Sequence, residues 1–374
     1  MTRKTIMNKV HRIVLKIGSQ VLTAKGKSLS QAVFDRLARE ISAAKKKGYE
    51  VVIVSSGAIA AGMSRLGFLE KPKTIPQKQA AAAIGQSALM WNYERAFTCY
   101  GEKVAQVLLT RDDLSNRRRY LNARNTLLTL LGLGVIPIIN ENDTVVVEEI
   151  KFGDNDNLSA LVTSLVNADL LIILSDIAGL YDRDPRLSKD AKLIPLVRQV
   201  TAEMEKKASG TLSPISIGGM VTKLQAARKA ALFGVPMILA NGMVEGIIGR
   251  IFQAEDVGTL FTSEVNKLTS RKHWIAFTLE PQGRIIVDDG AKKAILQKGK
   301  SLLPSGVLAT EGEFSLGDPV VLVDLQKEEF AKGLSNYGSA EINKIKGLKT
   351  TEVENKLGYK YGDEIIHRDD LVVL

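Results

Sequence analysis

The 374-residue chain is long enough for two domains with a sizeable core. It is 45% hydrophobic and 25% charged, which excludes a disordered or fibrous chain. The net charge is +10, but residues 281–374 hold 13 Lys or Arg against 15 Asp or Glu, so the positive charge belongs to the first 280 residues. There it suits a small anion such as a nucleotide or a dicarboxylate as well as it suits nucleic acid.

In chain order, "RIVLKI" (12–17) predicts a buried strand, and residues 30–48 predict an amphipathic helix closing on Gly48. Strand 50–56, helix 76–97, strand 103–110, helix 118–134 and strand 135–140 follow. A helix over 157–168, a strand over 169–176, a helix over 219–234 and a strand over 235–240 complete the alternation. Continuous Val, Ile and Leu strands between helices predict a mostly parallel sheet with both faces covered, a three-layer α/β sandwich. From about Lys272 the pattern changes to short strands with turn signals, a small β-barrel-like domain. The expected division is 1–272 and 273–374.

The longest apolar run, Leu127 to Ile139, is interrupted by Gly132, Gly134 and Pro137 and is too short to span a bilayer, so no membrane association is expected. The basic N-terminus has no apolar stretch behind it, so no secretory leader is expected. A single cysteine, Cys99, excludes an internal disulfide framework and fits a reducing compartment, the cytoplasm. As a residue it reads as a small apolar side chain, not a nucleophile.

Several nucleotide chemistries are excluded. "GKS" at Gly26–Ser28 and at Gly299–Ser301 lacks the earlier glycine of a P-loop, since Val21 and Ala294 stand there. No G-x-G-x-x-G follows a strand, and the "HRDD" at His367 lacks the rest of a protein-kinase catalytic loop. The three histidines, His11, His273 and His367, are too scattered for a histidine metal site or triad, and no metal-ligating residues are assigned.

In open α/β sheets, ligands sit beyond the carboxyl ends of the strands. Polar residues collect at those ends: Lys16 to Ser19, Ser55 to Gly57, Asn140 to Asp143, and Ser175 with Asp176. "KFGDNDNLSA" (151–160) precedes one helix, and "GGMVTK" opens another, bringing Lys223. Glycines at strand-to-helix turns expose backbone N–H groups, and lysines beside them suit phosphate. Taken singly, Ser56 is an N-cap, "GDNDN" a loop with a cap, and Lys223 a solvated face. Their joint occurrence in this order points to a phosphate site.

The series "VLKIGS", "SSGAIAAG", "NEND", "FGDNDNLSA", "SDIAGLYDRDPR" and "GGMVTKLQAA" resembles the amino-acid kinase family over about residues 10 to 265, and within it the branch that acts on glutamate. The segment from Pro281, with "GRIIVDDGAKKAIL" and "SLLPSGV", resembles a PUA domain. The resemblance implies transfer of the ATP γ-phosphate to the side-chain carboxylate of L-glutamate, with ATP and Mg²⁺ as cofactors. It implies catalytic roles for Lys16, Lys223 and Asp156, the aspartate orienting both lysines, with Asp154 supporting them. Ser56, Asp143 and Asn155 correspond to substrate contacts, and Asn140 to a support of the same pocket. Lys16, Ser175, Asp176 and the phosphate-side loop of Ile217, Gly218, Gly219, Met220, Val221, Thr222 and Lys223 correspond to ATP contacts.

A carboxylate acceptor is already ionised at neutral pH, so the reaction needs no general base, in keeping with a histidine-poor chain. One departure stands out: where the family usually has G-T-G-G-M, this chain reads "PISIGGM", with Ser216 and Ile217 replacing a glycine and a hydroxyl. The resemblance also implies feedback inhibition by proline, a homodimer or homotetramer, and a separate downstream glutamyl phosphate reductase. Two alternatives stay open at this point. One is a related acid kinase acting on N-acetylglutamate or aspartate, which the ammonium-binding Asp143 disfavours. The other is an RNA-binding PUA protein, which the negative charge of the C-terminal domain disfavours.

Overall fold

The fold is described from a computed structural model, which covers residues 2–24, 28–68, 70, 72–145, 155–185, 187–188, 190–209, 217–263 and 281–374, without the side chains of residues 117, 207, 209, 217 and 218. The chain divides into two compact units, Met1–Ser115 with Ala123–Val265, and Asn116–Asn122 with Asn266–Leu374. The expected boundary at 272/273 lies outside the described residues.

The elements of the first part are α1 (Arg3–Met7), β1 (Arg12–Ile17), α2 (Ser19–Leu22), α3 (Gln31–Lys46), β2 (Glu50–Ser55), α4 (Ala58–Leu66) and α5 (Ile75–Thr98). Then come β3 (Val104–Leu109), α6 (Arg111–Ser115), α7 (Arg117–Gly132), β4 (Ile136–Glu141), α8 (Asn155–Leu165) and β5 (Leu170–Ser175). Last are β6 (Leu196–Val197), α9 (Ala202–Ser209), α10 (Ile217–Leu232), β7 (Met237–Asn241), α11 (Ile247–Phe252) and β8 (Thr259–Phe261). The strands form one eight-stranded sheet in the order β3-β4-β2-β1-β5-β7-β8-β6. All neighbours are parallel except β7 and β8.

The strands are apolar because both sheet faces are covered: every residue of β4 and β5 is buried, as are the last five of β1 and β2. α3 shows the complementary helical period, burying Val33, Phe34, Leu37, Ala38 and Ile41 on one stripe. α5 starts where Thr74 accepts a hydrogen bond from the Gln77 N–H, with Pro76 in its first turn. Two glycines let α4 and α5 touch backbone to backbone. A Cβ on Gly62 would lie 1.7 Å from the Ala81 carbonyl oxygen, and one on Gly85 1.7 Å from that of Ala58. No larger residue fits at either position, so α5 is drawn against the start of α4, directly behind the end of β2.

The C-terminal part begins with β9 (Gly283–Val287), α12 (Asp289–Lys298), β10 (Val307–Glu311), β11 (Pro319–Val323) and β12 (Glu329–Leu334). It ends with α13 (Ser339–Ile345), α14 (Val353–Leu357) and β13 (Leu371–Val373). Its five strands form a separate mixed sheet, β10-β9-β11-β12-β13, in which only β9 and β11 run parallel. They enclose a core of their own that includes Ile285, Val320, Leu322, Tyr337, Ile342 and Ile366. The β10 strand, "VLATE", carries little apolar signal, since only its first residue is buried.

The expected helices start slightly late. α8 begins at Asn155, not Asn157, so Asn155 and Asp156 belong to its first turn and not to a preceding loop. α10 begins at Ile217, so the expected phosphate-side loop, 217–223, forms the first two turns of a helix.

Candidate functional site

The carboxyl ends of β4, β2, β1 and β5, adjacent in the sheet, deliver Asn140, Ser55, Lys16 and Ser175 to one edge. Register fixes the set, since Lys16 lies beside Val54 on one side and Ile173 on the other. Beyond the strand ends the chain is still pinned: Gly18 N–H donates to the Leu174 carbonyl at 3.0 Å and Ser56 N–H to that of Ile17 at 3.1 Å. Gly57 follows with φ +110°, a left-handed conformation that glycine accepts freely, and turns the chain into α4.

The centre of the site is Asp156, 3% exposed in the first turn of α8. Lys16 Nζ lies 2.5 Å from its Oδ1, and Lys223 Nζ lies 3.2 Å from its Oδ2. Thr222 Oγ1 donates to Oδ2 at 2.8 Å, and Lys223 also donates to the Gly219 carbonyl at 2.9 Å. Burial alone would push this carboxyl up. The two ammonium groups and the hydrogen bonds from Lys16 and Thr222 outweigh burial and hold it well below the usual carboxylate range. Burial pulls Lys16 down from its ordinary value, Asp156 opposes the shift, and Lys223 adds to it. The cluster joins one aspartate to two lysines in a buried place, and Asp176 lies close enough to Lys16 to oppose the downward shift as well.

A different set of contacts starts at the adjacent residue. Asn155 Nδ2 faces the Asn140 Oδ1 at 3.0 Å, the Ser56 Oγ at 3.2 Å and the Ser55 carbonyl at 3.3 Å. Asn140 Nδ2 in turn donates to Gln86 Oε1 at 2.9 Å. Asp143 lies in the turn after β4, half-buried, with no hydrogen bond or ion pair among the described residues; burial lifts its carboxyl to about 6. Ser175 Oγ donates to Asp176 Oδ1 at 3.1 Å on the other side of Lys16.

The structure therefore brings Lys16, Lys223 and Asp156 together, and gathers Ser56 and Asn155 with Asn140. It places Gly219 and Thr222 beside Lys223. Met220 and Val221 lie half-buried in the same turns of α10, and of Ile217 and Gly218 only the backbone is described. Asp154 and Ser216 lie outside the described residues. Sequence reasoning missed Gln86 and Tyr93, both on α5, and named the buried Ser55 only as a strand-end polar residue without a role. Tyr93 OH meets Ser55 Oγ at 2.9 Å. Their signal was periodic: Gln86, Leu89 and Tyr93 share one helical face, so the glutamine is a polar residue on a buried stripe. The alanine-rich run around it hid that face.

A parallel sheet with a lysine–aspartate–lysine centre at its carboxyl edge defines a phosphoryl-transfer class. The amino acid kinase family pattern matches residues 11–241, more than half of the chain, and the PUA domain pattern matches residues 283–357. The chain belongs to the amino acid kinase family and carries a PUA domain behind the kinase fold. Over 372 residues it is 56% identical to a glutamate 5-kinase of Pelobacter propionicus and 58% identical to one of Geobacter metallireducens, each pair covering 100% of both chains. Among solved structures it is similar to a UMP kinase from Bacillus anthracis, at TM-score 0.47 and 18% identity, covering 68% of this chain and 97% of that one.

Proposed function

We propose that the chain is a glutamate 5-kinase, transferring the γ-phosphate of ATP to the side-chain carboxylate of L-glutamate, the first step of proline synthesis. The observation that carries the chemistry is Asp156, which holds two lysines in one buried cluster. In the reaction a carboxylate oxygen bonds to the γ-phosphorus as the bond to the ADP oxygen breaks. Both partners are anions, so the barrier lies in bringing negative charges together and keeping them aligned. Lys16 and Lys223 neutralise the transferring group, and Asp156 fixes where their ammonium groups stand. No side chain is asked to remove a proton.

ATP lies along the Ser175–Asp176 and α10 side of the cluster. Among the described residues no group of three or more His, Cys, Asp or Glu is placed to hold a metal, and Asp156 is already engaged by lysines. Mg²⁺ fits as an ion carried on the ATP phosphates, where it supplies further charge neutralisation. On the opposite side, Ser56 and Asn155 take the glutamate carboxylates. Asp143, half-buried and without a cation among the described residues, takes the α-ammonium group.

The same reading includes a domain division at 272/273, feedback by proline at the glutamate pocket, a homodimer or homotetramer, and a cytoplasmic setting. The acyl phosphate product is labile, and a separate reductase consumes it. The test is hydroxamate formation with Mg-ATP and hydroxylamine across glutamate, aspartate and N-acetylglutamate. Product with glutamate alone, suppressed by proline, is expected. Product only with another acid keeps the lysine chemistry and overturns the pocket around Asp143 and Asn155.

A further inference from the structure

Asn140 and Asn155 are amides, and an amide is useful in a pocket only if its two ends are fixed. The carbonyl end of Asn140 is set by the backbone: the Glu141 N–H, which can only donate, points at Asn140 Oδ1 from 2.9 Å. The NH₂ end of Asn140 must therefore face away, and there it meets Gln86 Oε1 at 2.9 Å. On the other side, Asn140 Oδ1 and the Ser55 carbonyl are both pure acceptors, so Asn155 must turn its NH₂ to them and its Oδ1 away.

The three amides thus form one chain of fixed polarity, Gln86 to Asn140 to Asn155. Its two outer atoms, Gln86 Nε2 and Asn155 Oδ1, are buried and have no hydrogen-bond partner among the described residues. Buried amide atoms left this way cost free energy, so the chain persists only because its surroundings hold it in place. What holds it is α5. The contact of Gly85 with Ala58 brings the α5 backbone against the start of α4 and places the next residue, Gln86, against Asn140.

We propose that Gln86 is a positioning residue for the amino-acid substrate, acting through Asn140 to fix how Asn155 faces the pocket. It does not touch the transferring phosphoryl group, whose lysines belong to the neighbouring cluster. The inference rests on the reading of Asn155 as a glutamate contact, so Asn155→Ala serves as the control for that reading.

The experiment measures KM for glutamate, KM for ATP, kcat and the thermal midpoint of the full-length enzyme for Gln86→Met, Asn140→Ala and the double variant. Gln86→Met keeps the volume and removes the acceptor. It is expected to raise KM for glutamate about tenfold, with kcat and KM for ATP close to native, as for a loss confined to binding. Asn140→Ala is expected to raise it at least as much, and the double variant no further than Asn140→Ala alone, because the two act in series. Gln86→Asn, an amide one methylene too short to reach Asn140, gives the same reading where Gln86→Met folds poorly.

A native KM for glutamate in both Gln86 variants overturns the proposal, as does a fall in kcat with KM unchanged. Strict additivity in the double variant also overturns it, since Gln86 would then act without Asn140. If Asn155→Ala itself leaves KM for glutamate at the native value, the pocket reading fails, and that failure is distinct from a silent Gln86.

Discussion

Asn155 and Asp156 are neighbours in the first turn of one helix, yet they face two different regions. Asp156 is charged, buried and saturated: two lysines and a threonine meet it. Asn155 is neutral and ends in a buried oxygen with no hydrogen-bond partner among the described residues, tied through Asn140 to Gln86. On the proposed function, one helix terminus serves two jobs. On that reading the charged region serves any carboxylate acceptor of a phosphoryl group, because every such reaction brings two anions together. The neutral region, with the Asp143 carboxylate nearby in sequence, is where the proposed function tells one acid from another.

The largest effect is expected from breaking the charged region. Asp156→Asn leaves two ammonium groups buried without their shared counter-charge. kcat should fall about a thousandfold while KM for glutamate changes little. Removing one partner of a buried ion pair also costs about 3–5 kcal/mol of stability, so chemical denaturation should register the change as well. Steady-state kinetics with a denaturant titration reads both. A variant that keeps native kcat would show that the lysines hold their places without the aspartate.

The neutral region should respond in KM and in pH. Burial lifts the Asp143 carboxyl to about 6, so in the free enzyme it loses its charge as pH falls through that value. An α-ammonium group binds the ionised form, hence KM for glutamate should rise about tenfold per pH unit below 6. Asp143→Asn should raise KM about ten- to a hundredfold at neutral pH and flatten the profile. The two aspartates also have opposite linkage to folding. Asp143, raised, binds its proton more tightly in the folded state, so its contribution to stability falls as pH rises from about 4 towards 6. Asp156, lowered, contributes stability that is full above the ordinary carboxylate range and is lost as pH falls below it. A sloping KM in Asp143→Asn would place the titrating group elsewhere.

These expectations also separate what could be read in the sequence from what could not. The sheet was legible because β1, β2, β4 and β5 are unbroken apolar runs, and the strand-end rule then pointed to Lys16, Ser56, Asn140 and Ser175. Lys223 and Asp156 came from motif order. That a single carboxylate meets both lysines came from the resemblance alone and from no pattern in the residues, and that Thr222 joins them was not read at all. Gln86 was invisible for another reason. It lies in "AAAAIGQSALM", where small residues blur the helical period, and its partner is 54 positions away. The starts of α8 and α10 were placed late because aspartate, asparagine and glycine read as loop until a tertiary contact draws them into a first turn.

The smallest effect sharpens the comparison from below. Tyr93 lies on α5 two turns beyond Gln86 and is 1% exposed, with its hydroxyl 2.9 Å from Ser55 Oγ. Ser55 already donates its single proton to the Ser56 carbonyl at 3.0 Å, so the tyrosine must be the donor in their contact. Tyr93→Phe therefore removes one donor and leaves Ser55 and its own hydrogen bond in place. It should lower stability by about 1 kcal/mol, the net value of one buried hydrogen bond. The Ser55 carbonyl that receives Asn155 is not released, so KM for glutamate should change less than about threefold. Denaturant midpoints beside steady-state kinetics decide it. If Tyr93→Phe instead moves KM as far as Gln86→Met does, the substrate pocket is held by the whole of α5 and not through the amide chain, and Gln86 loses its special place.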